Sequence, residues 1–258
     1  MGTDRIFSVG ILGFGFIGKV HAYAYVNLPF FYDPLPLQAR ITHICTSRQG
    51  TAEAGRALLG ADKATTDFRT ITENPEIDIV HICTPNHLHQ EALLSAMENH
   101  KHIYCDKPLV ARLEETKAIA DALPAYKGTA QMTMHCRFFP PVLRARQLIE
   151  EGFLGKILEF RFCHLHAGSA SPEAPLKWKL SGAAGGGTIA DLGSHALDLA
   201  HYLLGDYESL TAATQIAYPD RPALGDPDRR VPVDAEDTVM VLARMKSGAL
   251  GHIEASKL

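Results

Sequence analysis

The stretch Gly13-Phe14-Gly15-Phe16-Ile17-Gly18 constrains this chain more than any other, because it follows directly on the apolar run 6–12 and opens a helix-like segment. A G-x-G-x-x-G pattern is weak alone. Placed between a strand and a helix, at the head of a βαβ unit, it becomes the dinucleotide fingerprint. Gly13 makes the tight turn, Gly15 lets the backbone approach a pyrophosphate, and Gly18 lets helix and strand pack closely. The phosphates then rest on the first helical amides, those of Phe16 and Ile17 among them, where the helix dipole favours negative charge.

The surrounding rhythm agrees with that reading. From residue 6 to about 133, short β-branched runs alternate with longer amphipathic segments, the signature of a doubly wound parallel sheet covered on both faces. Strands are expected at 6–12, 40–46, 77–84, 102–105 and 128–133, with helices at 17–28, 51–59, 89–99 and 113–123. Glu98, Asn99 and His100 read as a polar helix end. Beyond 133 the order changes to a helix at 142–151, a strand at 156–166, a loop closing on Gly185-Gly186-Gly187, a helix at 189–203, and strands at 209–217, 237–245 and 249–255. Four prolines, Pro219, Pro222, Pro227 and Pro232, make 218–232 read as irregular. The fold class is therefore α/β. A Rossmann domain spans 1–134, and an α+β substrate-binding domain on an open, mostly antiparallel sheet spans 135–258.

Composition removes several alternatives. With 258 residues, 46% of them hydrophobic and 21% charged, the chain buries a real core and is not disordered. Lys plus Arg number 25 against 29 Asp plus Glu, a formal charge of −4 with no basic patch, so no nucleic-acid partner is expected. Cys45, Cys83, Cys105, Cys136 and Cys163 show no zinc-like spacing. They read as reduced, buried and structural, which fits a reducing cytosol, and no metal is expected. Arg5 ahead of the run IFSVGILGFGFIG superficially resembles a secretory leader, but Asp4, the spaced glycines and the single basic residue argue against one. Ile6 stands where a myristoylation signal needs Ser or Thr, and no apolar stretch approaches the roughly 20 residues of a membrane span. A cytoplasmic, membrane-free protein is expected.

Candidate site residues cluster after the strands, where ligands bind in open α/β sheets. Asp33 lies about 20 residues after the fingerprint, as a ribose-binding carboxylate would, but it sits in the Pro-rich insertion NLPFFYDPLPLQ rather than at a strand end. The second strand ends instead in Thr46-Ser47-Arg48, where Ser47 and Arg48 could donate to a 2′-phosphate; this tilts the cofactor from NAD toward NADP. Arg48 could equally stack on adenine or be an ordinary surface residue. The next strand leads into Thr84-Pro85-Asn86-His87-Leu88-His89, in which Thr84, Pro85, Asn86 and His89 are cofactor-contact candidates and Asn86 also reads as a helix cap. Asp106-Lys107-Pro108 follows the strand after it, and Asp106 and Lys107 are cofactor-contact candidates as well. A lysine there, beside a proline and partly desolvated, suits proton transfer, and a cis Lys107–Pro108 bond is expected. In the second half Asp191 and His195, four apart on one helix, suit an acid/base pair in which the carboxylate orients the imidazole. Taken alone, D-x-x-x-H more often means a dipole-complementing aspartate and a core histidine.

Together the motifs are more specific. GFGFIG, TPNHLH, DKP and GGGTIADLGSHALDLAHYLLG, in this order and at these separations, resemble the Gfo/Idh/MocA family of oxidoreductases over essentially the whole chain. The resemblance implies a Rossmann domain, an α+β domain with an open sheet, and an active site in the cleft between them. It makes Lys107 the lysine of the family's E-K-P motif, with Asp106 for the usual glutamate, and Asp191 and His195 the catalytic acid and histidine. Arg137 and the pair Trp178-Lys179 resemble pocket-wall positions, which makes Arg137 and Trp178 substrate-binding candidates alongside Lys107, Asp191 and His195. The implied activity is hydride transfer between NAD(P) and a sugar, cyclitol or related polyol. Two alternatives share the fold: an NAD-dependent glycosidase-like enzyme, and a non-catalytic dinucleotide sensor or corepressor. Family members run on for many tens of residues beyond Leu258, so a truncated chain is expected, from a protein that forms a homo-oligomer, a dimer or tetramer, through the second sheet.

Overall fold

A computed structural model describes residues 5–258. Packing divides the chain after Thr133 into two units.

The first unit is a six-stranded sheet in the order β3-β2-β1-β4-β5-β6, every pair parallel. Its elements are β1 (Ile6–Leu12), α1 (Phe16–Phe31), β2 (Gln38–Cys45), α2 (Gln49–Leu59), β3 (Lys63–Thr65), α3 (Arg69–Thr72), β4 (Ile79–Ile82), α4 (His89–Glu98), β5 (His102–Cys105), α5 (Glu115–Ala122) and β6 (Ala130–Met132). The order reverses between β1 and β4, the crossing point at which such sheets take ligands. Val9, Ile11, Ile44, Val80, Ile82 and Ile103 fill the sheet with branched side chains, and Ala92, Leu93, Ala96 and Met97 bring α4 onto it. Three details differ from the sequence reading. Strand β3 and helix α3, three and four residues long, are too short to leave a periodic pattern. The Pro-rich insertion begins later than expected, because α1 runs on through Pro29 to Phe31; a proline this close to a helix end removes little of the bonding ladder.

The second unit contains α6 (Pro140–Glu150), β7 (Glu159–Leu165), a π-helical turn Ile189–Gly193 running into α7 (Ser194–Leu204), β8 (Tyr207–Gln215), β9 (Asp220–Ala223), β10 (Asp226–Pro232), β11 (Thr238–Met245) and β12 (Leu250–Ser256). Four strands form a mixed sheet, β7-β12-β11-β8, in which only β7 and β12 run parallel. One face, from Val239, Val241, Ala243, Met245, Ile253 and Ala255, packs on Leu192, Ala196 and Ala200 of the helix. Segment 218–232, expected to be irregular, contains the β9–β10 hairpin instead. Its prolines are tolerated because a two-stranded ribbon is all edge. It is anchored by Arg221, fully buried, which donates to the carbonyls of Ser169 (2.7 Å) and Ser171 (2.6 Å) and faces the Asp237 carboxylate at 3.6 Å. Among the described residues no helix is long and apolar enough to cross a membrane.

All five cysteines are free thiols. Cys45 and Cys105 are buried as expected, but Cys163 is exposed and Cys83 and Cys136 are half-buried. Cys163 faces outward because it lies on the side of β7 opposite the packed Phe160 and Phe162.

A polar seam runs beneath α1. His21 and His81 meet Nδ1 to Nδ1 at 2.9 Å, Tyr25 Oη lies 2.9 Å from His81 Nε2, and Cys83 Sγ lies 3.2 Å from His21 Nδ1. Burial, reinforced by the neighbouring His21, pushes His81 down to about 3, so the ring stays neutral in the folded protein. Burial likewise raises the Tyr25 hydroxyl to about 12, with Tyr104 adding to the effect. Between the unfolded value of 6.5 and about 3, the unfolded chain binds a proton at His81 that the folded chain refuses. Stability therefore rises with pH across that window and is lost as pH falls through it. Denaturant melts at stepped pH should show this slope in the parent and a shallower one, by about one proton, in His81→Phe; equal slopes would refute the assignment.

Candidate active site

The glycine turn is built as the fingerprint demands. Gly13 has φ +89° and a Cβ there would lie 2.5 Å from the Cys83 carbonyl oxygen; a Cβ on Gly18 would lie 2.0 Å from the Gly13 carbonyl oxygen. Helix α1 can start this close to β1 only because both side chains are missing. A Cβ on Gly15, by contrast, would meet no protein atom within 4 Å. The first turn of α1 contains no acidic residue and no side-chain cap. Its leading amides, including those of Phe16 and Ile17, thus remain available for an anion at the open position beside Gly15. This geometry fits a dinucleotide pyrophosphate.

The other strand ends line up around it. Gly13 donates its amide to Cys45 O at the end of β2 (2.8 Å), and Cys83 donates to Leu12 O (2.7 Å). Ser47 and Arg48 follow β2 and are exposed, with Arg48 at the start of α2; Asp33 lies in the loop ahead of β2. After β4, Pro85 precedes a 3₁₀ turn that begins at the buried Asn86. Asn86 does not cap α4 as expected, since Leu88 occupies the cap position and the 3₁₀ turn intervenes. His89 is fully buried, with Nε2 2.9 Å from the Thr84 carbonyl and Nδ1 2.9 Å from the Pro108 carbonyl. Its ring ties the Thr84 and Pro108 turns together.

Pro108 belongs to the turn that presents Lys107. Lys107 is half-buried, its amide donates to Asp106 Oδ1 at 2.9 Å, and the Lys107–Pro108 bond is cis, as expected. Asp106 is tied in turn to β4 by its amide on Ile82 O (2.8 Å). The shorter carboxylate that stands for the usual glutamate therefore shapes the lysine's own turn.

In the second unit the triple glycine is a packing device. A Cβ on Gly186 would strike the Lys179 backbone at 2.6 Å, and one on Gly187 (φ +108°) would strike the Glu236 carboxylate at 2.5 Å. Glu236 is thereby free to accept the Ile189 amide at 2.8 Å and start the π-helical turn, while Gly187 donates to Lys179 O at 2.9 Å. The consequence is a lysine drawn to Asp191: Lys179 Nζ lies 2.9 and 3.1 Å from its two carboxylate oxygens. A second lysine, Lys257, approaches Asp191 Oδ2 at 3.1 Å. Sequence reasoning missed Lys257, which follows a strand and has nothing around it in the chain to distinguish it from a solvated charge.

His195 lies buried one turn further along, its ring 4.8 Å from that of His135 and 6.0 Å from that of His164. Donor atoms of His135, Cys136 and His195 come within 4.8 Å of one another, so these residues could hold a metal ion. Arg137, expected in the pocket wall, forks onto the Asp198 carboxylate, with Nε to Oδ2 at 2.8 Å, and lies over the Tyr202 ring. Its guanidinium is thus largely committed to holding α7. Trp178 is partly exposed beside Lys179.

Comparison with known proteins follows these two halves. Residues 7–134 match the family described as "Oxidoreductase family, NAD-binding Rossmann fold", and residues 142–258 match the "GFO/IDH/MocA C-terminal domain". The chain is 37% identical over 263 residues to the levoglucosan dehydrogenase of Pseudarthrobacter phenanthrenivorans, covering 97% of this chain and 67% of that protein. The myo-inositol 2-dehydrogenase of Thermotoga maritima is 26% identical over 249 residues, covering 96% and 68%. A solved levoglucosan dehydrogenase in complex with NADH and levoglucosan superimposes with a TM-score of 0.93 at 37% identity, over 98% of this chain and 67% of that one. The chain thus spans about two thirds of the length of these relatives.

The open position at Gly15 and the closed one at Gly18 separate binding from folding. Gly15→Val should leave the melting temperature near that of the parent and weaken NADH binding at least about tenfold in a fluorescence titration, since its side chain occupies the anion's approach. Gly18→Ala should lower both stability and binding. Unimpaired NADH binding by Gly15→Val would show that the phosphates do not rest there.

Proposed function

Since this chain belongs to the Gfo/Idh/MocA family of oxidoreductases, we propose that it is an NAD(P)-dependent dehydrogenase acting on a CH–OH group of a sugar, cyclitol or related polyol. One observation carries the reading: a glycine turn shaped for a pyrophosphate occurs in the same chain as Lys107, Asp191 and His195, at the family's motif positions. A sensor would need only the first.

Bound NAD(P) supplies the hydride acceptor. The chain's residues handle the proton and the charge. In the oxidative direction His195 takes the hydroxyl proton, Asp191 fixes the helix face from which it does so, and Lys107 donates a hydrogen bond to the same oxygen and stabilises negative charge developing there. Lys107 is suited to this by its half-buried position on a braced turn. Exposed Ser47 and Arg48, with no carboxylate at that strand end to repel a 2′-phosphate, support use of NADP. The names of the relatives, which include levoglucosan and inositol dehydrogenases, support a cyclic polyol as substrate. Assembly through the second sheet is supported by Leu165, Met240, Leu242 and Leu250, all exposed on the face opposite α7.

A spectrophotometric screen of levoglucosan, inositols and simple sugars with NAD and NADP in parallel tests the reading, the expected outcome being absorbance growth at the reduced-nicotinamide band. Sugar released from a glycoside without that growth would favour the glycosidase-like alternative, and NADPH binding without any turnover would favour the sensor. Lys107→Ala should reduce kcat by about 10² to 10⁴ with NADH affinity preserved; near-normal turnover would remove Lys107 from the reaction.

A further inference from the structure

Lys257 is only 5% exposed, and its backbone is locked at both ends: its amide donates to Asp237 O (2.9 Å) and its carbonyl accepts from the Ser169 amide (2.7 Å). Both partners belong to the framework around fully buried Arg221, which donates to Ser169 O and faces Asp237. From this fixed base the ammonium reaches Asp191 Oδ2 at 3.1 Å. Lys179 reaches the same carboxylate from a different kind of place, with its side chain 51% exposed.

The two lysines are therefore not equivalent. An exposed ammonium is hydrated, screened by salt and free to leave its carboxylate at little cost. A buried ammonium has no water to turn to, and removing its anion leaves an uncompensated charge. Lys179 hydrogen-bonds both Asp191 oxygens from an exposed position, whereas Lys257 faces Oδ2 as an ion pair from a buried one.

We propose that Lys257 is the positioning residue for Asp191, the buried counter-ion that keeps this carboxylate ionised and in one place at the start of the helix carrying His195. The proposal rests on reading Asp191 as the steering carboxylate of the dehydrogenase. Lys257 acts through Asp191: the hydroxyl proton goes to His195, and Asp191, held by a fixed cation, remains an anion that orients rather than a second proton acceptor. Lys179 is then able to move toward a bound polyol without releasing Asp191.

Two measurements on the full chain test this. In steady-state assays with NAD and whichever of levoglucosan or myo-inositol the parent oxidises, Lys257→Met should lower kcat at least about tenfold, a share of the roughly 10² to 10⁴ that positioned acid–base groups contribute, with the KM for NAD unchanged. Lys257→Arg, which restores the charge, should recover most of the loss. Unchanged kcat in Lys257→Met, or equal loss in the Met and Arg variants, would overturn the proposal. Independently of turnover, thermal melts of Asp191→Asn, Lys257→Met and the double variant report the pair itself. Asp191→Asn strands a buried ammonium, so adding Lys257→Met should raise its melting temperature; purely additive losses would overturn the proposal. If the parent oxidised no polyol, the dehydrogenase reading would fail while the melts still decided whether Lys257 fixes Asp191.

Discussion

Helix α1 begins so close to the end of β1 that no side chain fits at Gly13 or Gly18, and most of what the first unit can do follows from that approach. It brings the helix start to the point where strand order reverses between β1 and β4, and it leaves the amides of the first turn without a cap. Hydrophobic burial alone would have been served by any small residues near this spot. The combination of a left-handed turn, a backbone contact and an open third position is more demanding, and glycine at each of the three places is its simplest solution.

The second unit solves a related problem by electrostatic means. Its glycine run lets the chain fold tightly over Glu236 and Lys179, and the result is a helix start at which one carboxylate, Asp191, gathers two ammonium groups of very different exposure. Nearby, Arg221 and Asp237 are buried completely, with several of their hydrogen bonds made to backbone. Buried charges of this kind add little net stability and cost much when one member is lost. What they contribute here is placement: the same framework that holds the β9–β10 hairpin also holds the backbone of Lys257.

Much of this was legible in the sequence because the signals were local and periodic. The first sheet, the helices between its strands and the glycine turn could be read from alternation and spacing, with β1 and β5 correct to the residue. The failures were of other kinds. Three-residue β3 has no period to detect, and the β9–β10 hairpin was hidden by its prolines, which punctuate a buried chain elsewhere but not an edge ribbon. The position of His89 after a strand end does not reveal its ring contact with Pro108, nineteen residues away. Nor does the sequence around Arg137 show its partner Asp198, 61 residues on. Lys257 was invisible for the same reason. A residue's partner at long range leaves no mark on its immediate neighbours.

The bracing of His89 has a mechanical consequence. One rigid ring, wedged between the Thr84 and Pro108 carbonyls with no solvent around it, makes the turn after β4 and the turn carrying Lys107 into a single lever. Thr84 also adjoins the Cys83 carbonyl that is packed on Gly13. The glycine turn, the turn after β4 and the turn carrying Lys107 are thus joined in series through a single imidazole ring.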